Sequence, residues 1–287
     1  EYNTVRNEIT LQKREDLYTG IEAGLMNNTL HFQLGYFQSH SLDNLTEMQY
    51  LFPQILGYEN LIFNNYNSDK TSGFEIGLDF SYPISQDFTI TLGGNLININ
   101  PEITKRDEPF YEGEDEALLR EGTATDAMWA LVANGLYSEN DFNPDGSLVD
   151  GLPEPSWGGV QPGDIKYLDQ NGDGVVDQLD QRIVGHGVRT QYSVDLDIRF
   201  RNFGLYALGV GRLGDSSTRN SSNYFKVLGN VKYSEYAAQA YGPNNKDVNA
   251  IHPRLTSLRG GNNDRNSSFW VYENNSFNLP VIQLTYR

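Results

Sequence analysis

Apolar and polar residues alternate with a period of two along several stretches of this 287-residue chain. Between positions 74 and 82, every second residue is Phe, Ile, Leu or Tyr, and Glu75 and Asp79 stand between them. The pattern recurs in three further stretches, 30–36, 88–92 and 192–200. Because successive side chains of a strand point to opposite faces, each stretch is predicted to be a strand with one apolar and one polar face. The chain is therefore predicted to be all-β.

The connections between these strands fall into two length classes. Short turns are predicted at Asn27-Asn28, Pro83–Asp87 and Arg201-Asn202. The connections between them are much longer and cover Asp43–Lys70, Pro101–Arg189 and Gly214–Ser267. Short turns at one end and long loops at the other are typical of outer-membrane β-barrels, whereas a soluble β-sandwich distributes its loops over both ends. The predicted fold is an antiparallel transmembrane β-barrel segment with long extracellular loops.

Charge and residue usage exclude several classes of function. The formal net charge of −17 argues against binding to nucleic acid. The absence of cysteine excludes a disulfide framework, a zinc–thiolate site and a thiol nucleophile. The four histidines lie far apart in the sequence and lack the spacing of a catalytic triad or a metal site. No catalytic residue is singled out, and the chain is predicted not to be an enzyme.

A short acidic segment, DQNGDGVVDQLD at 169–180, has the spacing of a calcium loop. Its side-chain oxygens are provided by Asp169, Asn171, Asp173, Asp177 and Asp180, and Val175 offers a backbone carbonyl. Calcium and magnesium are hard cations that take oxygen ligands, so the predicted ion is Ca²⁺, with Mg²⁺ as the alternative. A solvated acidic turn without metal is the competing interpretation.

Five segments, in order along the chain, carry motifs that belong together in one known family. They are TSGFEIGLDF at 71–80, WALVANGLYSENDF at 129–142, PGDIKYLDQNGDGVVDQLDQRIVG at 162–185, RNFGLYALGVG at 201–211 and HPRLT at 252–256. This ordered set resembles the C-terminal part of the β-barrel of SusC/RagA-type TonB-dependent outer-membrane transporters. One departure is Glu273–Leu279, which contains no arginine where the family has one.

The resemblance implies a location, an activity and a set of partners. Residues 1–287 are expected to form part of one barrel domain, with the calcium-type loop at 162–185 inside an extracellular loop at 101–189. The plug domain and the TonB-contacting segment precede the barrel in this family and are expected to lie outside this chain. The protein is expected in the bacterial outer membrane, in contact with lipid. There it would import a nutrient, oligosaccharide before peptide, with a SusD-like surface lipoprotein as partner and TonB supplying energy.

Aromatic residues in the long loops are candidates for ligand contact, because their rings can stack on sugars or line a peptide cleft. The candidates are Trp129, Trp157, Tyr224, Tyr233 and Trp270. Packing within the loops, or a place at the membrane interface, is the alternative role for each of them. The segment 226–241 is predicted to form a surface helix at the rim of the barrel.

Two other functions remain open from the sequence. The first is a soluble, calcium-stabilised β-sandwich that binds carbohydrate, which would differ from a membrane barrel by staying in solution without detergent. The second is a calcium-dependent glycosidase, which needs two carboxylates about 5–10 Å apart on either side of a sugar cleft. The sequence contains many carboxylates but gives no reason to pair any two of them.

Overall fold

The computed structural model describes residues 9–50, 62–219, 233–256 and 261–287. Seven long strands dominate it: β1 (Lys13–Leu25), β2 (Leu30–Met48), β3 (Ile62–Ser85), β4 (Phe88–Lys105), β11 (Thr190–Phe200), β12 (Phe203–Leu213) and β15 (Ser276–Tyr286). They form one antiparallel sheet in the order β1-β2-β3-β4-β11-β12-β15. The sheet confirms the predicted all-β class and the antiparallel pairing of neighbouring strands.

The remaining strands are short and belong to the long connections. They are β5 (Met128–Leu131), β6 (Ala133–Leu136), β7 (Glu154–Pro155), β8 (Ile165–Tyr167), β9 (Val175–Val176), β10 (Gln181–Gly185), β13 (Ser216–Thr218) and β14 (Val271–Glu273). They pair two by two, as β5 with β10, β6 with β8, β7 with β9 and β13 with β14. Only β7 and β9 run parallel. These small ladders satisfy backbone groups inside the connections without extending the main sheet.

The register of the main sheet separates its two faces. Directly paired residues share a face, and one such row crosses all seven strands as Ile21, Leu34, Ile76, Leu96, Tyr192, Gly211 and Phe277. A second row consists of Leu25, Leu30, Phe80, Leu92, Leu196, Ala207 and Ile282. Since Glu75 and Asp79 alternate with the residues of these rows along β3, they lie on the opposite face. The predicted division into an apolar and a polar face is therefore present.

The apolar face is not covered by the rest of the described chain. Ile21, Ile282 and Leu284 are 67%, 69% and 75% exposed. A soluble sheet buries such a face against a second layer, whereas a membrane barrel turns it towards lipid. At the end with the short turns, the face finishes in an aromatic row of Phe88, Phe200, Phe203 and Tyr286. Aromatic girdles of this kind mark the membrane interface in barrels.

All three short turns lie at one end of the sheet, as predicted. The turn after β1 is next to the one after β3, because the N–H of Ser81 donates to the carbonyl of Thr29 at 2.8 Å. The turn after β3 is next to the one after β11, because the N–H of Arg201 donates to the carbonyl of Asp87 at 2.8 Å. The long connections leave from the opposite end.

The strands extend beyond their predicted ends, and the boundary at Asp43–Lys70 is wrong. Strand β2 continues to Met48 and β3 begins at Ile62, while 51–61 lies outside the described residues. Likewise β4 reaches Lys105 instead of ending near Asn100. In the additional stretches, apolar residues such as Leu45, Phe63 and Ile103 stand among polar residues without strict alternation, so the period-two signal disappears although ladder pairing continues. Side-chain amides reinforce the pairing, as where Asn65 Nδ2 donates to the carbonyl of Asp43 at 2.8 Å.

The surface helix predicted for 226–241 is not formed in the part of that segment that the structure describes. Residues 226–232 lie outside it, and Glu235–Gln239 makes a short 3-10 turn. The chain then extends at Ala240, and the N–H of Tyr241 bonds to His252 at 3.0 Å instead of to the preceding turn. Among the described residues, no helix is long and apolar enough to cross a membrane.

Candidate functional site

The connections 106–189 and 214–275 fold together into one unit, termed here the loop cap. Its described parts are 106–189, 214–219, 233–256 and 261–275. Backbone hydrogen bonds join the two connections at Leu136 to Val248 (2.8 Å), Arg254 to Gly163 (2.8 Å) and Leu131 to Asn266 (3.2 Å). The described parts of these two connections are therefore one packed body at the end of the sheet opposite the short turns.

The loop cap has its own hydrophobic core. The core consists of Leu131, Leu136, Ile165, Tyr167, Val176, Tyr241, Ala250 and Trp270, so both connections contribute to it. Trp270 is only 1% exposed, and its Nε1–H donates to the carbonyl of Asn263 at 3.1 Å. The expectation that Trp270 contacts a ligand is therefore corrected, because its ring fills the centre of the cap and is out of reach from solvent.

A buried ion pair joins the connections beside this core. Asp164 is 2% exposed, and its Oδ1 lies 2.6 Å from Nε of Arg254. The same carboxylate accepts hydrogen bonds from the side chain of Asn263 at 2.8 Å and from the N–H of Gln161 at 2.9 Å. A buried charge needs such partners, because desolvation without them is costly. Asp164 and Arg254 come from two of the motifs quoted above, but their spacing in the sequence gives no sign that they meet.

Two adjacent asparagines act as a partner for strand β8. The side chain of Asn262 donates to the carbonyl of Ile165 at 2.7 Å. The side-chain oxygen of Asn263 accepts from the N–H of Ile165 at 2.8 Å. The hydroxyl of Tyr167 donates to the carbonyl of Asn262 at 2.8 Å. Burial raises the pKa of Tyr167, and it raises the pKa of Tyr137 to about 12. Both phenols are therefore neutral at physiological pH and serve as structural groups.

The other candidate aromatic residues have different surroundings. Trp157 donates through Nε1 to Asn262 at 3.1 Å, and the Arg265 guanidinium lies 3.7 Å from its ring centre. The guanidinium of Arg120 lies 5.1 Å from the ring centre of Trp129. Both indoles thus have one face occupied by a cation. Tyr233 is 67% exposed, and Tyr224 lies outside the described residues.

The first half of the calcium-type loop is a tight turn held by its own side chains. The carboxylate of Asp169 accepts hydrogen bonds from the N–H groups of Gly172 at 2.6 Å and Gly174 at 2.9 Å. Asp173 accepts from the N–H of Val175 at 2.8 Å. Gly174 has a φ of +86°, a conformation that favours glycine and suits the sharp turn at this position.

The second half of the loop is anchored by a fully buried carboxylate. Asp180 accepts hydrogen bonds from the N–H of Gln170 at 2.6 Å and from that of Asp177 at 2.7 Å. Pairing of β9 with β7 uses the carbonyls of Gly174 and Val176, so the carbonyl of Val175 points away from β7.

The donor chemistry of this loop fits a hard cation, while its carboxylates are spread out. Among the described residues, no three side chains of the His, Asp and Glu types come together as a metal-binding group. Side-chain amides and backbone carbonyls, which supply part of a calcium loop's ligands, are not in that set. Calcium binding by Asp169, Asn171, Asp173, Val175, Asp177 and Asp180 therefore stays a prediction.

The polar face of the sheet forms an open groove of about 430 Å³. Its lining includes Gln33, Glu75, Asn95, Gln191 and Ser193, which come from four neighbouring strands. A polar inner face with an uncovered apolar outer face, short turns at one end and a folded cap at the other define a segment of an outer-membrane-type β-barrel wall.

Comparison with solved structures gives the same fold. The chain matches the RagAB peptide transporter with a TM-score of 0.65 at 17% identity, over 96% of this chain and 29% of that one. It matches the RagAB peptide importer in the "open-open" state with a TM-score of 0.71 at 17% identity, over 97% and 28%. The "closed-closed" state gives 0.65 at 18% identity, over 96% and 29%. No protein-family model and no curated protein matches the chain.

These matches confirm the predicted SusC/RagA resemblance at the level of the fold. The matched structures are those of a peptide transporter. The chain spans less than a third of the length of the chains it matches.

Proposed function

We propose that this chain forms part of the barrel wall and the extracellular cap of a nutrient importer in the bacterial outer membrane. The observation that carries the proposal is the combination of an uncovered apolar sheet face with a loop cap packed at one end only. A soluble carbohydrate-binding sandwich would bury that face in a second layer. The fold shared with the RagAB importer supports the same function.

The substrate we propose first is an oligopeptide. The matched structures are of a peptide importer, and the two tryptophans offered as sugar platforms each carry an arginine on one face. An oligosaccharide, which the sequence alone favoured, is the second candidate. It is supported by Tyr233, whose ring is 67% exposed in the loop cap and free to stack on a sugar.

The proposed partners follow from the family resemblance. A SusD-like lipoprotein would lie over the loop cap, and TonB would supply energy for import. The proposed ion of the 169–180 loop is Ca²⁺, which would order the turn between the long strands and the cap core.

Uptake by whole cells tests the proposal. Cells that carry the full protein should accumulate fluorescent oligopeptides, and cells without it should not. Arg254→Ala should abolish uptake while the barrel still inserts, because the loop cap loses its buried ion pair. Lys246→Ala is the matched control, since it removes an exposed ion pair with Glu139 from the same cap. A purified protein that remains monodisperse without detergent would contradict the membrane assignment and favour the soluble sandwich.

A further inference from the structure

Two arginines of the loop cap lie on tryptophan rings and form no ion pair with any described residue. They are Arg265, on Trp157, and Arg120, on Trp129. The chain has 38 acidic residues against 21 basic ones, so carboxylate partners are abundant. Two other arginines of the cap do hold aspartates, at 2.8 and 2.6 Å. Among the described residues, the guanidinium groups of Arg265 and Arg120 therefore contact an aromatic ring where Arg189 and Arg254 contact a carboxylate.

Arg265 is the better defined of the two. Its guanidinium stacks at 3.7 Å on an indole that is itself fixed by a hydrogen bond to Asn262 and by edge-on contact with Tyr167. Its Nε is buried and has no hydrogen-bond partner among the residues that the structure describes. A buried donor without an acceptor is destabilising. Desolvation by burial also lowers the pKa of Arg265.

The stack does not use the terminal N–H groups of the guanidinium, whereas Nε is buried. Its N–H groups lie in the plane of the group and point outward from its edge, so contact of one face with Trp157 does not use them. A planar fork of donors matches the two oxygens of a carboxylate, and the resulting charge-assisted bonds are among the stronger hydrogen bonds. Because the plane is already fixed by the indole, a ligand loses less of its binding energy to ordering the arginine.

The second stack belongs to the neighbouring segment. A parallel bridge joins Leu131 to Ser267, and the N–H of Leu131 donates to Asn266 at 3.2 Å. Trp129 is two residues before Leu131, and Arg265 is two residues before Ser267. The bridge therefore places the segments of both stacks side by side, although they come from different connections.

We propose that Arg265, held on Trp157, forms a carboxylate-binding subsite of the loop cap, with Arg120 as the adjacent cation. The ligand group is a carboxylate, which a peptide provides at its C-terminus and an acidic glycan provides on a uronic acid. As a substrate subsite it rests on the proposed import function, whereas carboxylate binding itself does not require transport.

Calorimetry on the full protein in detergent tests the subsite. The probes are N-acetylated trialanine with a free C-terminus, the same peptide as its C-terminal amide, and trigalacturonic acid. For whichever ligand class the protein prefers, peptide or acidic glycan, the free acid should bind about tenfold or more tightly than a neutral analogue. Arg265→Gln should remove that difference. Arg106→Gln, which removes an exposed arginine that stacks on no tryptophan, should retain it.

A second variant guards against misfolding of the first. Arg265→Lys keeps the charge but lacks the planar fork, and should lose most of the preference for the free acid. Equal binding of acid and neutral probes by the unmodified protein, or full preference in Arg265→Lys, would overturn the subsite. If cells take up peptide but the protein shows no preference for a free carboxylate, the subsite proposal is wrong and the import proposal is unaffected. Carboxylate binding without uptake would count against import alone.

Discussion

At the scale of single residues, the face on which a side chain lies decides the effect of a charge. Ile76 belongs to the apolar row that crosses all seven strands, while its neighbour Glu75 lines the polar groove. Ile76→Arg should therefore cost ~2–4 kcal/mol of folding free energy in a bilayer, because the charge enters the lipid-facing side. Unfolding by urea in lipid vesicles measures this cost. Glu75→Arg is the control, and an equal loss in both variants would show that the two faces are not different environments.

The buried carboxylate of Asp164 offers a second residue-scale prediction. Asp164→Asn leaves Arg254 in the cap without its charge partner, and breaking a buried pair in this way typically costs about 3–5 kcal/mol. Limited proteolysis of the loop cap should show the loss, with the sheet remaining protected. Glu139→Gln serves as control, because it removes an exposed partner of Lys246 and should leave the protection of the loop cap nearly unchanged. Equal protection of both variants would contradict the structural role of the pair.

At the scale of elements, an ion pair fastens the cap to the sheet. Arg189, directly before β11, donates to both oxygens of Asp126 at 2.8 and 2.9 Å. The hydrogen bond from Arg189 holds the pKa of Asp126 below its usual value, against the opposing effect of burial. A carboxylate with a depressed pKa contributes stability above its unfolded pKa of about 4, and this contribution is lost as the pH falls through the lower folded value.

Acid should therefore loosen this attachment. In the unmodified protein, protease cleavage within the 106–189 connection should rise as the pH falls below about 4, measured with an acid-active protease. Asp126→Asn should show raised cleavage already at neutral pH and a weaker dependence on pH. An unchanged pH profile in Asp126→Asn would mean that other carboxylates control this attachment.

The calcium-type loop gives an element-scale prediction for metal removal. The carboxylate of Asp173 accepts a hydrogen bond within the tight turn, whereas the buried carboxylate of Asp180 accepts one from the N–H of Gln170. If Ca²⁺ binds, a chelator should raise protease sensitivity within 162–185, and added Ca²⁺ should reverse it. Asp173→Ala should abolish this response and leave the barrel wall intact, because strand pairing holds the wall. A loop whose cleavage ignores both chelator and Ca²⁺ is an acidic turn without metal.

The strands of the sheet were predictable where one face meets an apolar environment. Alternation around Ile76 and Leu196 has a physical origin in the two faces, so the strands and the sidedness of their turns follow from it. Past Asp43 and Asn100 the apolar residues, such as Leu45 and Ile103, no longer alternate with polar ones, and the sequence there carries no sign that pairing continues. The pair of Asp164 with Arg254 joins residues 90 positions apart, and only the folded cap brings them together.

At the scale of the whole molecule, the sequence left open whether the sheet is part of a barrel wall or of a soluble sandwich. The structure places no second layer on the apolar face within its described residues, and its fold matches that of a peptide transporter. Trp270 shows the limit of reading function from residue type, because an indole in a long loop serves equally as a binding platform or as a core. Its hydrogen bond to Asn263 and its burial show that Trp270 is part of the hydrophobic core of the loop cap.

The construction of the loop cap from two separated connections also bears on how the protein folds. Its central contacts join residues far apart in sequence, as between Ile165 and Asn263, which are 98 positions apart. Strands β11 and β12 lie between the two connections, so the cap core closes only when that hairpin is in place. Distant contacts of this kind form slowly, because the entropy of closing a long loop is lost before they stabilise the chain. Closure of the cap core is thus expected late in folding, and substitutions in that core should delay the time at which the loop cap becomes protected from protease.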